Sequence, residues 1–145
     1  MAEVVGIISA VLGVLDVSTR GSQRLHQVVK AWINAPAEIL ALHNEIVDLR
    51  YLLDNIRDAQ AVVEVEADAQ CNYGFVTALR TQLRRAEEHF QSLNGILDEL
   101  SKIKKYRKKT KWICRERRVE HLKNGIRLVR EHINNLLQVH NMYVH

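Results

Sequence analysis

The stretch Asn34-Ala-Pro-Ala-Glu-Ile-Leu-Ala-Leu-His-Asn-Glu-Ile-Val-Asp-Leu-Arg-Tyr-Leu-Leu-Asp-Asn-Ile56 decides the fold. Its apolar residues Ile39, Leu42, Ile46, Leu49, Leu53 and Ile56 follow one another at intervals of 3, 4, 3, 4 and 3. A period near 3.6 places them on one side of an α-helix, whereas a strand would alternate every second residue. Pro36 suits the first helical turn, because the amide hydrogen it lacks has no partner there, and Glu38 complements the positive helix start. Asp48, Asp54 and Asp58 fall off the seam.

Three further segments carry seams of the same kind. Upstream, Val4, Ile8, Val11 and Leu15 are followed by Leu25, Val29 and Trp32, with Ser18 and Ser22 at the missing steps beside Gly21. One long helix with a weak or kinked middle, or two short helices meeting near residues 19–22, both fit that gap. Downstream, Leu79, Leu83, Ala86, Phe90, Leu93, Leu97 and Leu100 form a third seam; Val119, Leu122, Ile126, Val129, Ile133 and Leu136 form a fourth. The sequence therefore predicts helices over about residues 2–33, 36–62, 74–101 and 111–143.

Sustained 3–4 seams pack knobs into holes at shallow angles, and short connectors make neighbouring helices antiparallel. The expected architecture is all-α: an antiparallel four-helix bundle with a long, kinked or unkinked first helix, in one domain over residues 1–145. Breaks near residues 34–36, 63–74 and 101–111 argue against one long coiled coil. No repeat of solenoid period occurs. One Pro and six Gly in 145 residues are too few for the turns of a sheet protein.

Cys71 and Cys114 are the two cysteines, too few and too far apart for a disulfide framework or a zinc pattern, and no N-glycosylation sequon occurs. Both features suit a reducing, cytoplasmic setting. The apolar run from Val4 to Leu15 follows a single acidic residue, Glu3, and ends at Asp16. It lacks the basic start of a secretory leader and falls short of the roughly 20 residues that span a bilayer. It reads as part of the mature first helix. Its apolar character exceeds what one bundle face requires. Two readings stay open: a central helix buried by the other three, or a helix able to leave the bundle for a membrane or a partner.

No phosphate-binding glycine loop, His-Glu-x-x-His or nucleophile elbow occurs, so no catalytic, metal-binding or cofactor-binding residue is expected. The seven histidines, His26, His43, His89, His121, His132, His140 and His145, do not pair at the spacing that sets ligands on one helical face. They read as structural or solvated.

Charge is concentrated. Lys102, Lys104, Lys105, Arg107, Lys108, Lys109, Lys111, Arg115, Arg117 and Arg118 stand against Glu116 alone, a net +9 in residues 102–118 of a chain whose total is +4. A solvated connector pairing with acidic faces of the same bundle is one reading of this run. Docking on anionic lipid, at roughly 1 kcal/mol per basic residue near the surface, is another. Nucleic-acid binding is a weaker third, because Tyr106 and Trp112 alone make a thin stacking platform and no recognition-helix context accompanies them.

The opening Ala2-Glu-Val-Val-Gly-Ile-Ile-Ser-Ala-Val-Leu-Gly-Val-Leu-Asp16 resembles the start of N-terminal domains of fungal STAND (NLR-like) proteins. Residues 34–49 are similar to the second helix of that family. The stretch Lys108-Lys-Thr-Lys-Trp-Ile-Cys-Arg-Glu-Arg-Arg-Val-Glu-His-Leu122 resembles its last helix. The resemblance implies a HeLo-like or SesA-like helical bundle, placed ahead of a nucleotide-binding domain and a repeat sensor and similar to the bundle of the mixed-lineage-kinase-like necroptosis effector and to plant NLR coiled-coil domains. It implies self-association in regulated cell death and innate immunity, with membrane disruption through the first helix at the plasma membrane. Carried over, that points to Val4, Val5, Ile7, Ile8, Val11, Leu12 and Leu15 as the inserting residues; the basic run read above is the candidate anionic-lipid patch beside them. One departure is that this first segment has no basic residue before Arg20. A module that only assembles, without lysing anything, fits that departure.

Overall fold

The chain forms four α-helices: α1 (Ala2–Lys30), α2 (Ala37–Asp58), α3 (Tyr73–Ser101) and α4 (Lys108–Val139). The structure, a computed structural model, describes residues 2–30, 36–58, 73–101 and 108–139, and the side chains of 7–30, 36–58, 74–100 and 116–139. Among the described residues there is no strand. The four-helix bundle expected from the seams is the architecture observed.

Each helix packs against two others: α1 against α2 and α3, and α4 against α2 and α3. Ser22 near the end of α1 meets His43 near the start of α2, so the first hairpin is antiparallel. In the second hairpin Arg118 early in α4 reaches Glu99 late in α3, and Gly125 lies against His89, so it is antiparallel too. The hairpins then lie side by side with like directions together. Gly21 lies against Phe90 and Leu93, and Arg24 bonds Asn94 and Asp98 one turn further along, so α1 and α3 run parallel.

The core is continuous through all four helices. Every seam residue expected on α2 and α3 is buried, as are Val119, Leu122, Ile126, Val129 and Ile133 of α4; Leu136 is partly buried and Leu137 completes that seam. At the start of α2 the Pro36 carbonyl accepts a hydrogen bond from the Ile39 amide at 3.1 Å, which opens the helix as its sequence suggests.

Of the two forms expected for the first helix the single long one is observed, and its buried face differs from the expected seam. It runs unbroken from Ala2 to Lys30. Its buried face is Ile7, Val11, Val14, Ser18, Gly21, Leu25 and Val28, at intervals of 4, 3, 4, 3, 4 and 3, with Leu15 and Ser22 beside it. Ile8 and Val29, expected on the seam, are only half-buried. The heptad therefore never lapses; at Ser18, Gly21 and Ser22 small residues fill it. The Ser18 and Thr19 hydroxyls donate to the Leu15 carbonyl at 2.9 and 2.8 Å, satisfying polar groups that would otherwise be stranded in the helix packing. Phe90 and Leu93 lie over Gly21, 3.5 Å from where a Cβ would stand.

Candidate functional site

Helix α2 is apolar on two sides. Opposite its core seam, Leu40, Val47 and Tyr51 are 55%, 41% and 70% exposed, at intervals of seven and four residues, with exposed Asn44 between the first two. These positions form a line about 16 Å long on one outer face, at 1.5 Å per residue. Single exposed apolar residues are ordinary; these three stand in register on one helix. Asp48 borders the line and makes no ion pair among the described residues. Asp54 and Asp58, toward the end of α2, both pair with Arg57 at 3.2 Å. Beside Tyr51 a groove of about 340 Å³ opens between α2 and α4, lined by Asp48, Tyr51, Leu52, Asn55, Arg130 and Asn134. Its α4 wall is held by Arg130, which donates to Glu45 at 3.2 Å.

The residues expected to insert into membranes are placed mostly inward. Ile7, Val11 and Leu15 are buried in the core, Ile8 is half-buried, and Leu12 is 45% exposed. Val4 and Val5 belong to α1, but their side chains lie outside the described residues. No helix among the described residues is long and apolar enough to cross a membrane.

Of the basic run, Arg117 and Arg118 are exposed on α4, and Arg118 reaches Glu99 at 3.7 Å. Lys108, Lys109, Lys111 and Arg115 lie in the first turns of α4, with side chains outside the described residues; Lys102, Lys104, Lys105 and Arg107 lie outside them altogether. The first turn of α4 contains no acidic residue. Cations crowd a helix end whose partial charge is already positive, an unfavourable arrangement unless an anion approaches.

Two histidines pair with partners across helices, His89 with His121 and His43 with Ser22, which spacing along the chain could not reveal. His89 of α3 and His121 of α4 stand edge to face with ring centroids 6.3 Å apart, in a groove of about 410 Å³ that Glu88, Ser92, Arg117 and Arg118 also line. The His89 ring fits only because residue 125 is glycine: a Cβ there would stand 2.4 Å from its Cε1 atom. Burial, then the neighbouring His121 and Arg85, lower the pKa of His89 below the ordinary histidine value, against a weaker opposing pull from Glu88. In the first hairpin His43 Nε2 lies 3.2 Å from the Ser22 hydroxyl. Burial, then His26 and Arg50, lower its pKa as well. Among the described residues no three His, Cys, Asp or Glu side chains come together in a way that could hold a metal ion.

The described surface thus carries an apolar line on α2, and the sequence puts a run of cations at the start of α4. Comparison with protein-family models, with curated proteins and with solved structures finds no match for this chain.

Proposed function

We propose that this chain is a signalling domain of a fungal NLR-like (STAND) receptor, cytoplasmic and non-enzymatic, that acts by self-association. The sequence resemblance supplies the family. The observation that carries the association reading is the exposed Leu40–Val47–Tyr51 line on α2, apolar surface that the four-helix core does not need.

The placement of α1 favours assembly over direct membrane attack. To insert, α1 must withdraw Ile7, Val11, Val14 and Leu15 from the core. At roughly 1.5–3 kcal/mol for each fully buried aliphatic side chain, that costs about 6–12 kcal/mol. A whole domain of this size is stable by about 5–15 kcal/mol. That burial is forfeited to water on the way out and restored only once lipid takes the side chains in, so membrane disruption by α1 needs a trigger that opens the bundle.

The test is the mass of the 145-residue chain in solution, measured by light scattering as concentration rises at low salt. The wild type is expected to exceed 16.7 kDa, the mass of one copy, and Val47→Lys to stay at it with helical content unchanged. A wild type that remains at one copy throughout overturns the reading. Docking of the basic run on anionic lipid is the second reading, supported by the net +9 of residues 102–118. Co-sedimentation with phosphatidylserine vesicles that survives Val47→Lys but fails after reversal of the lysines favours it.

A further inference from the structure

We infer that copies of this chain associate head to tail, the basic first turns of α4 in one copy docking on the outer face of α2 in the next. The inference rests on the self-association reading and adds which two surfaces meet.

The first support is register. Arg118 reaches Glu99, and Gly125 lies against His89, so the end of α3 at Ser101 is level with about residue 115 of α4. The pairing of Gly21 with Phe90 and Leu93 brings the end of α1 to about the same level as the end of α3. The Arg130–Glu45 pair, between parallel helices, sets the start of α2 level with about residue 122. Among the described residues, the helical backbone from Lys108 to about Arg115 thus runs about two turns past the ends of α1 and α3 and about four turns past the start of α2. It carries Lys108, Lys109, Lys111 and Arg115, together with Trp112 and Ile113. In its own copy it has no described helix beside it to supply counter-charge.

The second support is complementarity. Helix α2 holds Glu38, Glu45, Asp48, Asp54 and Asp58 against Arg50 and Arg57, a net −3 that falls to −2 where Arg130 of the same copy pairs with Glu45, and displays the one described line of three exposed apolar side chains in register. The basic segment Lys108–Arg118 carries six cations against Glu116, a net +5, with large apolar residues among them. The two are also matched in length, about 16 Å from Leu40 to Tyr51 and about 15 Å from Lys108 to Arg118. An acidic helix face brought to the start of α4 would also offset the unfavourable charge of that helix end. The outer face of α2 points away from the bundle, and the α4 start projects beyond it, so the two surfaces cannot meet within one copy. Two different surfaces on each copy make a heterologous contact, which builds rings or filaments rather than a closed pair.

Such a contact has a decisive test by complementation. One variant, Val47→Lys with Asp48→Lys, disables the α2 face; another, Lys108→Glu with Lys109→Glu and Lys111→Glu, disables the α4 end. All five positions lie off the described core, and circular dichroism checks each fold. In sedimentation at low salt, each variant alone is expected to stay monomeric while the wild type forms species that grow with concentration. Mixed in equal amounts, the variants should form a pair of about twice 16.7 kDa and no larger species, because one good surface of each kind remains. The pair should disperse as salt rises and the screening length falls from about 10 Å at 0.1 M to about 3 Å at 1 M. If the wild type associates but the mixture stays monomeric, the head-to-tail inference is overturned and self-association stands. If the wild type never associates, both fall. Should it stay monomeric yet bind phosphatidylserine vesicles or an oligonucleotide through Lys108, Lys109 and Lys111, the partner of the basic end is that polyanion, and the inference is likewise overturned.

Discussion

Gly21 sits in the middle of α1, buried, at the place where the sequence pattern had allowed a break. Its backbone is helical and its surroundings are measured: a Cβ would stand 3.5 Å from Leu93 Cδ2 and 3.5 Å from Phe90 Cδ1. Those are ordinary van der Waals separations, so a methyl group fits without displacing anything. Replacing glycine by alanine in a helix interior gains about 0.8–1 kcal/mol, because the unfolded chain loses freedom it would otherwise regain. Burying the new methyl adds up to about 0.8 kcal/mol, an upper figure since the unfolded chain already hides some of it. Gly21→Ala is therefore expected to stabilise the domain by about 1–1.5 kcal/mol, read as a higher urea midpoint at unchanged slope. Gly21→Leu should do the reverse. Its added carbons must enter space held by Phe90 and Leu93, and overpacking of that kind costs about 1–3 kcal/mol. The opposite signs are the discriminating feature. If Gly21→Ala instead lowers stability, the chain turns at this residue, and the continuous α1 packed on α3 is refuted.

Truncating the core gives a second measure: Phe90→Ala should cost about 3–5 kcal/mol and Leu49→Ala about 2–5, and a loss under half a kcal/mol in denaturant melts would mean the seams are misassigned. Stability should also depend on pH. Because His43 and His89 have lowered pKa values in the fold, the unfolded chain binds more protons; stability is greatest above the ordinary histidine value of 6.5 and declines as pH falls from there toward the folded values. Urea midpoints at pH 7.5 and 5.5 should differ in that direction, less so in His43→Gln with His89→Gln. Gly125→Ala puts a Cβ where the His89 ring lies; the ring can swing outward, so the pKa of His89, followed by NMR, should rise toward the ordinary range.

What could be read from the sequence depended on how sharply each stretch contrasts. On α2 the seam residues alternate with Asp, Asn and Arg, and the face was legible residue by residue. On α1 nearly every position from Val4 to Leu15 is apolar or small, so the pattern held no contrast to say which side is in. Ile8 was therefore placed on a seam that Ile7 and Val14 occupy. The gap at Ser18 and Ser22 leaves one long helix and two short ones both open, because a hydropathy pattern cannot distinguish an absent core position from one filled by a small side chain under Phe90. The second apolar line on α2 is visible in principle, since Leu40, Val47 and Tyr51 keep helical spacing among themselves, but three positions give a weaker periodic signal than the six of the core seam. The histidine pairs were not legible at all. His89 and His121 lie 32 residues apart in sequence and meet only through the register of α3 on α4. The basic run was plain from composition, but its projection past the other helices follows only from where Arg118, Gly125 and Arg130 find their partners.

Amide NMR spectra of the wild-type chain, recorded at rising concentration and low salt, test the association surface most directly. Broadening or shift changes should gather at Leu40, Asn44, Val47 and Tyr51 of α2 and at the first turns of α4, while α1 amides around Leu12 stay constant. Spectra that do not change with concentration, or changes confined to Leu12 on α1 and to Leu128 and Val139 on α4, the other exposed large apolar positions, would contradict an association built on α2.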